Sequence, residues 1–209
     1  MQEELKEKLK LIENKYDGKA FQAIINIVKK DKVGDEEMLD LIEKISQKKF
    51  REKVSFSFSV FGGNMMELIV TVAAIALAFQ GGADWMLYIA ALVLMTTLHP
   101  LSHYIIGSLL GIKFTHYYLN GPARIEPTLR INYFTYLKAP ARSRALMHMS
   151  GVIGTVAAPL IPALIAISKG AAGAAANLGI LFLLLIVFEL LTSTRIGDLM
   201  RAKREYGFK

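Results

Sequence analysis

Charged and apolar positions alternate through the first 53 residues of this chain, and long uninterrupted apolar runs dominate the remainder. In the charged stretch, Leu5, Leu9 and Ile12 recur at helical spacing. So do Phe21, Ile24, Ile25 and Val28, and then Met38, Leu39, Leu41, Ile42 and Ile45. Tyr16-Asp17-Gly18 and Val33-Gly34-Asp35 punctuate the pattern, and Asp35 suits the N-cap of a third helix. The pattern predicts three short helices forming a cytosolic segment that shields a membrane part or docks a cytosolic protein partner.

Apolar runs then occupy about 60–79, 85–112, 144–167 and 177–194. Each is close to or beyond the roughly 20 residues needed to cross a bilayer as a helix. Gln80-Gly81-Gly82-Ala83-Asp84 reads as a tight turn, Pro159 and Pro162 interrupt the third run, and a Gly/Ala-rich loop is expected over 168–176. Between the second and third runs, 114–119 and 130–136 have strand composition, separated by Asn120-Gly121-Pro122 and Glu126-Pro127. The expected fold is an all-α integral membrane protein with four transmembrane helices. A small β-ribbon lies between spans 2 and 3, and the N-terminal cytosolic helical segment (1–53) precedes the membrane domain (54–209).

Composition sharpens this reading. Hydrophobic residues make up 53% of the chain and charged ones 21%, more apolar matter than a soluble domain of 209 residues needs. With a charged N-terminal stretch ahead of the first apolar run, no signal peptide is expected. With four spans, 24 of the 25 Lys and Arg fall on one side and only Lys169 on the other, which predicts both termini in the cytoplasm, at the plasma membrane of a prokaryote. The net charge of +7 then faces anionic lipid headgroups. In residues 1–53, thirteen basic side chains are balanced by twelve acidic ones, which argues against a nucleic-acid surface. There is no cysteine, so any metal must be held by nitrogen and oxygen ligands.

Candidate chemistry lies in or near the apolar runs, at Glu67, His99, His103, His148, Glu189 and Asp198. A charged group at the bilayer centre costs at least about 2.5 kcal/mol, so each needs a partner or a wet cavity. His99 and His103 stand at i and i+4, on one helix face, the spacing of the zinc ligands in an H-E-x-x-H motif. Pro100 occupies the place of the glutamate that serves such motifs as general base. Asp198 is the best-placed third ligand, provided the fourth span tilts or breaks near Thr192-Ser193-Thr194. Glu189 and Glu67 are the carboxylates that could replace the lost base. Their alternative roles are hydrogen-bonded structural groups or members of a proton relay.

These pieces, in this order, resemble the site-2 protease family of intramembrane zinc metalloproteases. The resemblance covers residues 60–205 and rests on His99-Pro100-Leu101-Ser102-His103 with its continuation Tyr104-Ile105-Ile106-Gly107. It rests also on the β-rich 113–137 segment, Ser150-Gly151-Val152-Ile153-Gly154 and Gly197-Asp198. It implies zinc held by His99, His103 and Asp198, with Pro100 in the catalytic glutamate's position. The third ligand departs from the family pattern, being glycine then aspartate rather than aspartate then glycine. The function expected is a pseudoprotease that binds a transmembrane-helix client or another partner without cutting it. The alternatives are an active intramembrane metalloprotease with a displaced base, and a small membrane scaffold or proton/ion-relay protein.

Overall fold

The three periodic N-terminal segments form α1 (Gln2–Asn14), α2 (Gly18–Asp31) and α3 (Glu36–Lys53) in a computed structural model that describes residues 1–31, 35–120, 126–192 and 197–208. Their apolar stripes converge on one core, in which Leu9, Ile25, Met38 and Ile42 are essentially inaccessible. Leu41, expected with them, stays at the margin. The Asp35 carboxylate accepts from the Met38 amide at 2.9 Å and caps α3. The expected break at Val33 and Gly34 lies outside the described residues.

A three-stranded antiparallel sheet comes next, in the order β1 (Ser57–Ser59), β2 (Phe114–Asn120), β3 (Glu126–Ile131). It departs from the sequence-based expectation three times. Glu126 and Pro127, expected to separate the strands, instead open β3 opposite Asn120 and Leu119, where an edge strand tolerates proline. β1 is not foreseen, because three residues are too short to show a period, yet Phe58 pairs with Tyr117 in the sheet. The last strand does not extend through residue 136, since the chain turns helical as α6 (Tyr133–Lys138). Asn132 causes the switch: its side-chain carbonyl accepts from the Thr135 amide at 2.9 Å, an N-cap that ends the strand. The helical turn sends Tyr133, Phe134 and Leu137 onto the core of the N-terminal bundle, so that bundle is closed by residues from beyond the second apolar run. The expected turn at Gly121 and Pro122 lies outside the described residues.

Among the described residues, four helices are long and apolar enough to cross a membrane. They are α4 (Val60–Gln80), α5 (Asp84–Leu109), the pair α7 (Ala141–Ala157) and α8 (Leu160–Ser168) taken as one, and α9 (Ala172–Thr192). The ladder lapses between α7 and α8 because Pro159 and Pro162 have no N–H for the carbonyls four residues back. α5 ends before Ile112 at Gly111, whose φ of 82° suits a glycine, while the Ile112 amide reaches back to the Gly107 carbonyl at 2.9 Å. α9 begins at Ala172, inside the expected 168–176 loop, since alanine is the strongest helix former. Lys169 donates to the Ala78 and Gly81 carbonyls at 2.8 and 2.7 Å, closing the C-terminus of α4. The outward faces of α4 and α9 are apolar, with Ile69, Val72, Leu183, Leu184 and Phe188 exposed, and contiguous exposed apolar surface of this kind marks a membrane or partner contact.

The last helix, α10 (Asp198–Tyr206), packs on α7. Asp198 heads this helix, beyond the end of the fourth apolar helix. The expected break at Ser193 and Thr194 lies outside the described residues.

Candidate metal centre

Two helices meet closely at the centre of the molecule because one of them lacks side chains there. On α7, a β-carbon at Gly154 would stand 2.4 Å from Ser102 Oγ and 2.7 Å from the Leu98 carbonyl, both on α5. At Gly151 it would stand 2.2 Å from His103 Nε2. Glycine at both positions lets α5 lie against α7 and seats the two imidazoles between them.

Helical spacing puts His99 and His103 on the same face of α5, with ring centroids 4.7 Å apart. Each ring has its Nδ1 engaged by an acceptor. His103 Nδ1 donates to the Met147 carbonyl at 2.7 Å. His99 Nδ1 lies 2.9 Å from Thr155 Oγ1, and that hydroxyl in turn donates to the Gly151 carbonyl at 3.2 Å. With the threonine proton assigned to the Gly151 carbonyl, Nδ1 of His99 is the donor, so both rings are assigned as Nδ1–H tautomers with the Nε2 lone pair free.

Both Nε2 atoms point at the same carboxylate oxygen. Asp198 Oδ2 lies 3.2 Å from His99 Nε2 and 3.0 Å from His103 Nε2. One ligand atom from each of the three residues fits within 4.8 Å of the others. The second oxygen, Oδ1, is held separately, by His148 Nδ1 at 3.3 Å and Arg201 Nη1 at 3.1 Å. His148 is fixed at its far side by the Tyr136 hydroxyl, 3.0 Å from Nε2. Gly197, with φ 103° in the region L side chains rarely enter, turns the chain immediately ahead of the aspartate. Burial alone would raise the Asp198 carboxyl, but its contacts to His103, His148 and His99 outweigh it and hold the group well below the usual carboxylate range.

Two nitrogen lone pairs and an anionic oxygen thus converge on one point. Something positive must sit among them: a proton that makes one ring an imidazolium, or a metal ion. The donor set of two imidazoles and one carboxylate, with its outer atoms tied to a carbonyl, a hydroxyl, an imidazole and a guanidinium, fits zinc and similar divalent ions. A set of three protein ligands is also the number found in catalytic zinc sites, where a further position stays open.

The two candidate substitute bases part company. Glu189, on α9, lies within electrostatic reach of His99 and Asp198. Glu67 is buried on α4 away from them, beside Tyr117, whose phenol is raised above its ordinary range by burial and then by the Glu67 charge. Tyr117 donates to Asn64 Oδ1 at 2.7 Å. Pro100 is fully buried and offers no titratable group. Sequence reasoning places His148 among the ionisable groups but misses its hold on Asp198, along with Arg201, Thr155 and Tyr136. One signal is present in the chain, since His148, Gly151 and Thr155 fall at i, i+3 and i+7, a single face of α7.

Comparison with protein-family models, with curated proteins and with solved structures finds no match.

Proposed function

We propose that this chain is an integral membrane protein holding a zinc ion between His99, His103 and Asp198, and that it is a site-2-protease-like pseudoprotease: it binds a membrane segment of a client and does not cut it. The observation that carries the metal is the convergence of both Nε2 atoms on Asp198 Oδ2 while both Nδ1 atoms are engaged elsewhere. Four apolar helices with bare outward faces support the bilayer setting. The contact of Lys169 with the end of α4 supports a topology in which the 81–83 and 169–171 connections share one face. The N-terminal bundle, the sheet, α6 and α10 would then lie together on the cytoplasmic face, where the basic residues meet anionic headgroups.

Zinc bound there would supply Lewis-acid chemistry. The residues of the chain explain why hydrolysis does not result: peptide cleavage needs a group that moves a proton to the leaving nitrogen, and Pro100 stands where that group belongs. An active metalloprotease is the second reading, favoured by the electrostatic reach of Glu189 to His99 and Asp198. The deciding experiment has two arms. Elemental analysis of purified protein, wild type beside His99→Ala/His103→Ala, tests the metal, which the double variant should lack. Incubation with a transmembrane peptide, wild type beside Glu189→Gln, tests the chemistry. Cleavage by the wild type that Glu189→Gln abolishes would replace the pseudoprotease reading with the enzyme.

A further inference from the structure

Away from the three ligands, the most heavily buried charged group among the described residues is Glu205, with no exposure at all. It lies on α10 seven residues after Asp198, two helical turns, so both carboxylates look to the same side of one short helix. Ala202, also buried, lies between them on that face. Two cations grip Glu205 from different parts of the molecule. Lys29, from α2 of the N-terminal bundle, bonds to Oε1, and Arg144, from α7, donates to Oε2 at 2.6 Å. Both cations are themselves buried. Arg144 is braced by the Ala139 carbonyl at 2.6 Å. Lys29 lies over the rings of Tyr136 and Phe208, 5.0 and 5.6 Å from their centroids.

The same cluster touches the other end of the helix. Tyr136, beneath Lys29, is the residue whose hydroxyl meets His148 Nε2, and His148 Nδ1 meets Asp198 Oδ1. The bundle is thus connected to the carboxylate ligand by two routes, along α10 through Glu205 and across α6 and α7 through Tyr136 and His148. A buried carboxylate that loses one of its two cations is disfavoured, so loosening Lys29 shifts α10 or draws water to Glu205, and such a shift moves the helix that carries Asp198.

We propose that Glu205 is a positioning residue for Asp198, and that the N-terminal bundle sets the metal affinity of the His99–His103–Asp198 centre through the grip of Lys29 on it. The inference rests on the reading of that centre as a metal site. It makes the bundle a control element: a partner that draws α2 from α10 releases the metal, and one that clamps them together retains it.

The test uses the full chain in detergent and four proteins: wild type, Lys29→Met, Glu205→Gln and Lys138→Met. Lys29→Met keeps a long apolar stem among the same aromatic rings and leaves Glu205 paired with Arg144, so the fold has the best chance to persist. Lys138→Met removes another bridge to the bundle, Lys138–Glu36 at 2.5 Å, which does not touch α10 and serves as control. Zinc affinity is measured by chelator competition, the ligand field by the absorption spectrum of the cobalt(II)-loaded protein, and the seating of α10 by amide hydrogen exchange after metal removal. Lys29→Met and Glu205→Gln should weaken zinc binding about tenfold or more, the range usual for groups that orient ligands. They should also alter the cobalt spectrum and speed exchange in α10, while Lys138→Met matches wild type. Wild-type affinity, spectrum and exchange in Lys29→Met would overturn the proposal. Should wild type bind neither zinc nor cobalt, the metal reading fails, and the exchange arm alone decides whether Lys29 seats α10.

Discussion

Gly151 lies so close to His103 that a β-carbon on it would stand 2.2 Å from Nε2 and 2.5 Å from Cε1. The ring has nowhere to retreat without giving up the 2.7 Å bond from Nδ1 to the Met147 carbonyl. Gly151→Ala should therefore leave the helices in place but turn His103 off the Asp198 axis. Zinc affinity is expected to fall by about tenfold or more, as for other changes that misorient a ligand. Competition titration with a chromophoric chelator reads it directly. An unchanged affinity would mean that this imidazole does not ligate.

Asp198→Asn keeps the shape of the side chain and removes its charge. The bonds from His148 and Arg201 to Oδ1 can persist, while the anionic oxygen facing both Nε2 atoms is lost. Metal content after purification should drop to background. In the wild type, affinity should decline as the pH is lowered, because imidazole binds metal only when neutral and protons compete for it. Binding isotherms across the acid range check both statements.

Pro100→Glu returns a carboxylate beside His99 and restores the full H-E-x-x-H spacing. Pro100 is buried, so the added acid faces desolvation and should lower thermal stability. If the pseudoprotease reading holds, wild type leaves a transmembrane peptide intact and the variant, loaded with zinc, shows measurable cleavage. Mass spectrometry of the peptide after long incubation distinguishes them.

Glu205 supplies a pH dependence with a definite sign. Burial alone would raise its carboxyl, but the charges and hydrogen bonds of Lys29 and Arg144 outweigh that and hold it below the ordinary carboxylate value. A group whose folded pKa is depressed stabilises fully above its unfolded pKa, about 4.3 for glutamate, and loses that contribution as the pH falls towards the folded value. The stability difference between wild type and Glu205→Gln should therefore stay flat from neutrality to about pH 5 and shrink below about 4.3. Thermal denaturation of both proteins at a series of pH values measures it.

Thr71 and Thr97 share a 2.8 Å hydrogen bond between α4 and α5, both buried. Polar bonds between apolar helices are worth less than their setting suggests, averaging about 0.6 kcal/mol. A double-mutant cycle with Thr71→Val and Thr97→Val should return a coupling of about that size. A value several times larger would point to a shared network at this contact.

Sequence alone determined the features that repeat within a few residues. The stripes Leu5-Leu9-Ile12 and Ile42-Ile45 announce helices because burial on one side of a 3.6-residue turn imposes that period, and the four apolar runs are legible for the simpler reason of length. The i, i+4 spacing of His99 and His103 already puts two candidate ligands on one face. Tertiary structure decided what meets that face. Asp198, 95 residues from His103, arrives on its own short helix, oriented by Gly197, His148 and Arg201. The pairing of β1 with β2 and the change from strand to helix at Asn132 were likewise settled by partners distant in the chain or by a single cap. Periodicity reports which side of an element is buried. Only packing reports against what, and the carboxylate, its holders and the Lys29 grip on Glu205 all belong to that second kind of information.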